Sequence, residues 1–252
     1  MKWSPMHLLA GSIVSLALFG CGSNGGSDTA GDSTVAGDSK LPRGGQPVNL
    51  DPSKFTTKID NPYWPLSPGS RWVYREVENG VNQKVVVTVT DRTKVIDGVT
   101  ARVIHDVVTA GGQPVEKTYD WYAQDSSGNV WYLGEDTKEY DHGKVVSTAG
   151  SWEAGVGGAQ AGVIMPGDPQ IGVPYRQEYD KGNAEDYATV TSTDARATVP
   201  FGSFDHVLQT KDVNPLEKNF VERKSFARGV GPIETIQVSG GSAHEHLLSY
   251  QH

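Results

Sequence analysis

The chain has very little cysteine, and this limits how it can be stabilised. Its 252 residues include one cysteine, Cys21. A single cysteine excludes a disulfide within the chain and any metal site built from several thiolates. Packing and hydrogen bonding therefore have to stabilise whatever fold the chain adopts.

Helical patterns and catalytic signatures are also scarce. No long segment repeats apolar residues at positions i, i+3, i+4 and i+7, the spacing of an amphipathic helix. There is no Gly-x-Ser-x-Gly nucleophile elbow, no glycine-rich phosphate loop before a helix and no haem attachment motif. The sequence therefore identifies no cofactor and no known nucleophile.

Basic residues are outnumbered. Lys and Arg total 22 against 30 Asp and Glu, which gives a formal net charge of −8 at pH 7. Binding to nucleic acid needs clustered Lys and Arg to displace counterions from phosphates. The charge therefore predicts no nucleic acid partner, and it argues against direct adhesion to an anionic lipid surface.

The N-terminus carries the strongest motif. Lys2 precedes an apolar stretch from Met6 to Phe19, which is long enough for a signal peptide and too short to span a bilayer. The stretch ends in Leu18-Phe19-Gly20-Cys21, which resembles the lipobox of bacterial lipoproteins. The resemblance implies cleavage before Cys21, lipidation of that cysteine and a membrane partner bound through the lipid. Since residue 22 is glycine and not aspartate, it also implies the outer membrane in a Gram-negative cell.

Composition divides the rest of the chain into two parts. Residues 22–39 are mostly Gly, Ser, Thr, Ala and Asp, and residues 21–47 are expected to form a flexible tether. Residues 48–252 are enough chain for one domain. The expected organisation is a signal peptide at 1–20, a lipidated tether at 21–47 and a single domain at 48–252.

Alternation with period two predicts an all-β domain. Val85, Val87 and Val89 share one strand face, and Asp97-Gly98 follows as a strong hairpin signal. Turn residues recur roughly every 10 to 15 positions. We expect an antiparallel meander sheet that forms a sandwich or open barrel of about twelve strands. Residues 151–172 are expected to be a long loop, and the prolines between Pro47 and Pro68 an extended entry segment.

Several stretches resemble a family of secreted bacterial proteins of unassigned function. They include Asn61 to Leu66, Pro68 to Tyr74, Tyr119 to Thr137 and Phe226 to Gly231. The resemblance would cover nearly all of residues 55–250. It implies an all-β fold and brings no activity or site residues.

Carboxylates beside aromatic residues form the first candidate site. Its members are Asp120, Glu135, Glu178 and Glu185. Glu135 and Glu185 could meet across strands and act as general acid and base on a glycosidic bond, or as oxygen ligands for calcium. They could equally be solvated acids at strand ends.

Histidines and tryptophans form two further candidates. His244 and His246 would share one face of a strand, where they could bind a transition metal with His105, His142 or His206 as a third ligand. Trp121 and Trp131 lie on neighbouring predicted strands and could stack on a sugar or another flat ligand. The alternatives are surface histidines and core tryptophans.

Three functions remain open from the sequence. The first is an envelope lipoprotein whose tethered domain binds a small molecule, glycan or protein. The second is a carboxylate-dependent glycan hydrolase, and the third is a metal-binding periplasmic protein.

Overall fold

The computed structural model describes residues 41–252, so the predicted signal peptide, Cys21 and residues 21–40 of the predicted tether lie outside the described part. These residues contain no α-helix, only a 3-10 turn at Pro52–Lys54, and the predicted all-β class is confirmed. The strands are β1 (Phe55–Thr56), β2 (Arg71–Glu78), β3 (Val81–Ile96), β4 (Val99–Ala110), β5 (Gln113–Asp125), β6 (Val130–Asp141), β7 (Lys144–Ser147), β8 (Trp152–Glu153), β9 (Gln160–Met165), β10 (Pro174–Arg176), β11 (Glu178–Tyr179), β12 (Tyr187–Val199), β13 (Gly202–Val213), β14 (Val221–Ala227), β15 (Gly231–Ser239) and β16 (His244–Gln251).

The strands follow from local sequence chemistry. Val85, Val87 and Val89 of β3 all point to the same side and are buried. Asp97 and Gly98 both have positive φ, at 47° and 79°, as a tight two-residue hairpin between β3 and β4 requires. Alternation and turn chemistry together therefore set the register of this hairpin.

The strands form one antiparallel sheet that is nearly closed into a barrel. Its order is β10-β12-β13-β14-β15-β16-β2-β3-β4-β5-β6-β9-β11, with β1 beside β5 and with β7 and β8 beside β6. At one end of this order β10 pairs with β12, and at the other end β11 pairs with β9. Only Gln177 separates β10 from β11. A single short segment therefore joins both ends of the sheet.

A glycine permits this closure. A side chain at Gly162 of β9 would overlap the carbonyl oxygens of Arg176 and Gln177. Glycine lacks a Cβ atom, so it lets two backbones approach this closely. The joining segment can therefore lie directly against β9.

The two ends of the barrel differ in polarity. One, here called the apolar end, carries the turns at 97–98, 126–128 and 228–230. Residues 57–70 pack there, with Trp64 buried against Tyr122 and Phe226. The Trp72 indole N–H donates to the Val230 carbonyl at 2.8 Å. The predicted proline-rich entry segment therefore covers one end of the barrel.

Residues 151–172 differ from the expected loop. They contain β8 and β9, and β9 pairs with both β6 and β11. Ala161, Val163, Ile164 and Met165 are all buried. Because both faces of β9 are covered, its sequence reads as an apolar run without alternation, which is why the periodicity argument missed it.

Residues 41–47 pack against the domain. The Arg176 backbone N–H donates to the Pro42 carbonyl at 2.8 Å, and its guanidinium donates to the carbonyls of Gly44 and Gln46. The folded domain therefore includes part of the segment that composition assigned to the tether. Among residues 41–252 no helix is long and apolar enough to span a membrane.

Candidate functional site

The barrel interior near its second end is lined by carboxyl groups. This acidic end carries the turns at 79–80, 111–112, 142–143 and 240–243. Ten acids are buried in the described residues: Glu76, Asp106, Glu116, Asp120, Glu135, Glu178, Asp186, Asp212, Glu222 and Glu245. We call this set the acidic interior. The buried cationic side chains are only two, Lys224 and Arg176.

Strand register sets many of these acids directly opposite each other. Glu76 faces Glu245, Asp120 faces Glu135, and Asp212 faces Glu222. Like charges opposite each other on one sheet face repel, and more strongly away from water. The acidic interior therefore needs protons or cations if the barrel is to remain folded at neutral pH.

Lys224 supplies one of these cations. Its Nζ lies 3.2 Å from Asp212 Oδ2 and 3.4 Å from Glu222 Oε2. Burial lowers the pKa of Lys224, but the nearby carboxylates of Asp212, Glu222 and Asp186 outweigh this effect and raise it overall. The ammonium therefore stays charged and holds one side of the acidic interior together.

The surroundings of Glu178 and Asp186 favour the protonated, neutral form of both carboxyl groups. Burial raises the pKa of Glu178 well above its usual value, and the charges of Asp186 and Glu135 raise it further. Burial also raises the pKa of Asp186, although Lys224 opposes that shift. The Trp152 indole N–H donates to Glu178 Oε2 at 3.0 Å, which fixes that carboxyl in place.

Arg176 does not neutralise these acids. Its guanidinium also donates to the Ala161 carbonyl at 2.7 Å, in addition to Gly44 and Gln46. These bonds tie β9, the closing segment and the start of the domain together. The role of Arg176 is therefore to hold the closure.

Two stacked tyrosines border the acids. The rings of Tyr122 and Tyr132 are 4.8 Å apart, and the Tyr132 hydroxyl donates to Asp120 Oδ1 at 2.9 Å. Burial raises the pKa of both hydroxyls, and the charges of Asp120 and Glu135 add to the effect. Both phenols therefore stay neutral, and the Tyr132 hydroxyl is a hydrogen-bond donor to Asp120.

Three of the four predicted carboxylates lie inside the barrel, and the fourth lies in a turn. Asp120, Glu135 and Glu178 belong to the acidic interior. Glu185 lies in the turn before β12, where its Oε1 accepts from the Gly182 backbone N–H at 2.7 Å. The acid opposite Glu135 is Asp120 and not Glu185, so the pair expected from the sequence is replaced by a different pair.

Trp121 and Trp131 point away from the barrel interior, but Trp121 is only 6% exposed and belongs to the buried core, whereas Trp131 is partly buried. Trp121 neighbours Asp120 on β5, so its side chain points away from the acids. Lys94 Nζ lies 3.4 Å above the Trp121 ring. The Trp131 indole N–H donates to Asp125 Oδ2 at 2.8 Å, and Phe55 packs against its ring.

The histidines do not converge as expected. His244 and His246 share the outer face of β16, with ring centroids 5.4 Å apart, and His246 Nδ1 lies 3.4 Å from Glu234 Oε1. His105 is stacked on Tyr119 on β5, and β2 and β3 separate β16 from β4. Residues 41–252 contain no group of three or more His, Cys, Asp or Glu arranged to hold a metal ion.

The burial pattern changes the meaning of the net charge. Residues 41–252 contain twenty Lys and Arg and twenty-seven Asp and Glu. Ten of those acids and two of those bases are buried. Eighteen bases and seventeen acids therefore remain toward the surface, which is close to neutral. The expectation of no nucleic acid partner stays a prediction.

Comparison with known proteins adds little. No family model matches the chain, and no curated protein matches it. The chain is similar to the crystal structure of a candidate lipoprotein from Parabacteroides distasonis. The alignment covers 75% of this chain and 98% of that one, with 13% sequence identity and a TM-score of 0.41. A likeness of this size carries no conclusion about function. The resemblance of residues 55–250 to a family of secreted proteins stays a prediction.

Proposed function

We propose that this chain is a lipid-anchored protein of the bacterial cell envelope, and that its barrel is a non-enzymatic domain that binds a ligand or partner through its outer face. One observation carries the second part. The sheet separates the carboxyl groups from the aromatic rings that were candidates for the same site.

A glycan hydrolase needs both kinds of group around one bond. Asp120 and Glu135 are 2% exposed inside the barrel, whereas Trp121 and Trp131 are on the opposite face of their strands. Trp121 is itself buried beneath Lys94, and a polymer stacked on the partly exposed Trp131 would have a strand wall between its glycosidic oxygen and the acids. The geometry therefore favours binding over hydrolysis.

The anchor gives a direct prediction. We expect Cys21→Ser to move the protein from the membrane fraction to the soluble fraction, because lipid chains on that residue supply the binding energy for the membrane. Immunoblotting of fractionated cells measures this shift. Ser23→Ala is the matched control and should stay with membranes. Equal membrane retention of Cys21→Ser, or an unmodified Cys21 thiol by mass spectrometry, would refute the anchor.

The binding function is tested with envelope glycans. We expect the mature protein to release no reducing sugar from peptidoglycan or lipopolysaccharide, and Asp120→Asn to leave its retention in glycan affinity gels unchanged. Trp131→Ala should weaken that retention by about 1 kcal/mol or more, as removal of a contact aromatic does. Sugar release that disappears in Asp120→Asn would restore the hydrolase. Retention that is unaffected by Trp131→Ala would remove this face as the glycan-binding site.

A further inference from the structure

The outer face of strands β2–β5 is a second charged surface of the barrel. Successive side chains of a strand point to opposite sides, so the residues that alternate with the buried acids Glu76, Asp106 and Asp120 point outward. Cross-strand partners share a side, and register sets Arg75 of β2 directly opposite Lys84 of β3. The wall of the barrel therefore separates acids on its inside from cations on its outside.

Only positive charge occurs at these outward positions. We define the basic face as the outward side chains within residues 71–77, 82–88, 105–109 and 117–119, which register joins into one surface. It contains no Asp or Glu, and its four cationic side chains are Arg71, Arg75, Lys84 and Lys117. Since the charges toward the surface of the domain nearly balance, this face concentrates positive charge that is offset elsewhere.

The protein does not neutralise these cations itself. Within residues 41–252, none of the four cationic side chains of the basic face forms a salt bridge. Other surface cations do, as Arg196 does with Asp205 at 2.8 Å and Lys138 with Asp136 at 2.6 Å. The charges of the basic face therefore remain available to an anion from outside the chain.

His105 reports the positive potential of the basic face. Burial lowers the pKa of His105, and the charges of Lys117 and Arg92 lower it further. The imidazole stacks on the Tyr119 ring with centroids 4.5 Å apart, and the Arg92 guanidinium lies 5.2 Å from the same ring. The centre of the face therefore combines flat rings with surrounding cations.

The other side chains of the basic face narrow the choice of partner. Of the large apolar side chains that residues 41–252 expose, none belongs to this face. A surface that enters a membrane carries large apolar residues, and a protein interface has an apolar or aromatic core. A planar bilayer would also meet the convex wall of a barrel only along a narrow strip. A hydrated, flexible chain of anionic groups fits the face better.

We propose that the basic face binds an anionic glycan of the cell envelope, one that carries carboxylate or phosphate groups. Arg75 and Lys84 are exposed neighbours at its centre line, and Arg71 and Lys117 extend the contact along and across the strands. A rigid sheet holds these cations in fixed positions before the ligand arrives. The choice of a glycan rests on the proposed function, whereas the positive charge of the face does not.

Beads that carry polygalacturonate, a polymer with one carboxylate on each sugar, test the proposal. We expect the mature chain in non-ionic detergent to bind these beads and not beads of neutral dextran. Binding should be lost between about 0.1 M and 1 M salt, since the Debye length falls from roughly 10 Å to 3 Å over that range.

Arg75→Gln combined with Lys84→Gln is the decisive variant. We expect its affinity for polygalacturonate to fall about fivefold or more, because two adjacent contacts are lost. Its unfolding temperature should not change, since both side chains are exposed and form no salt bridge. Lys211→Gln combined with Lys218→Gln removes the same charge from exposed positions outside the face and should keep wild-type affinity. Lys117→Gln tests the face independently from β5.

Three results would overturn the basic face as a site. They are no binding of the wild-type chain to polygalacturonate, equal binding to neutral dextran, and an equal loss of affinity in the two double variants. Elution by duplex DNA or by phosphatidylglycerol micelles at a lower charge concentration than by soluble polygalacturonate would overturn the glycan as the partner. Retention in glycan gels that depends on Trp131 but not on Arg75 and Lys84 would remove this inference and leave the proposed function standing.

Discussion

Replacing Lys224 with methionine is expected to lower the free energy of unfolding by about 3–5 kcal/mol, because removing one partner of a buried ion pair leaves uncompensated charge. Lys224 is 3% exposed and contacts both Asp212 and Glu222. Methionine keeps the apolar stem and removes only the ammonium. The pKa of Lys224 lies above the ordinary value for lysine, so the stabilising contribution of its ammonium is fully present at neutral pH. Urea denaturation of the two proteins at pH 7 measures the difference.

A matched control and a rescue make this test specific. Lys211→Met changes an exposed lysine on β13 and should alter the free energy of unfolding by less than about 0.5 kcal/mol. Adding Asp212→Asn and Glu222→Gln to Lys224→Met should recover much of the lost stability, because the repelling charges are removed with the ammonium. A Lys224→Met protein as stable as wild type would mean that these carboxyls are already neutral.

The second large effect is a fall in stability as pH rises. Burial raises the pKa of Glu178 and of Asp186, from ordinary values of 4.5 and 3.8. The folded state therefore keeps protons that the unfolded chain has released. Stability is greatest below the ordinary values and is lost as pH rises through the raised ones. The unfolding temperature should be higher at pH 5 than at pH 9.

Glu178→Gln separates this effect from general alkaline destabilisation. Glutamine can still accept from the Trp152 indole N–H but cannot ionise. We expect the variant to raise the unfolding temperature at pH 9 by a few degrees and to flatten the pH profile. Glu185→Gln, in the turn before β12, should leave the profile unchanged. If Glu178→Gln and wild type show parallel profiles, Glu178 does not carry the dependence.

Those parts of the fold with local signals could be predicted from the sequence. The hairpin at Asp97-Gly98, the valine alternation of β3 and the covering segment around Trp64 all depend on neighbours in the chain. The strand β9 could not be predicted in this way, because it is buried on both faces and its apolar run has no period. Its place between β6 and β11 is set by partners distant in sequence.

The acids of the acidic interior are visible in the sequence, which leaves open a functional site or solvated acids at strand ends. Along β5 the polar face Glu116, Thr118, Asp120 alternates with the face of Tyr119 and Trp121. An acid face opposite an aromatic face normally marks the side toward water, and nothing in the sequence of β5 itself indicates that its acids are buried. The barrel reverses this, and only the sheet register shows that acids from many strands meet.

The segment that joins β10 to β11 has a further consequence. An open sheet presents a row of free N–H and C=O groups at each edge, and another chain can dock there by adding a strand. Here the two ends of the main sheet share one segment. Arg176 holds this segment by hydrogen bonds, and Gly162 leaves room for it beside β9. Where this segment pairs with β9 and β12, a partner is therefore denied backbone pairing. A bulkier residue at position 162 would push this segment away from β9. The backbone groups exposed in this way would favour self-association through strand pairing.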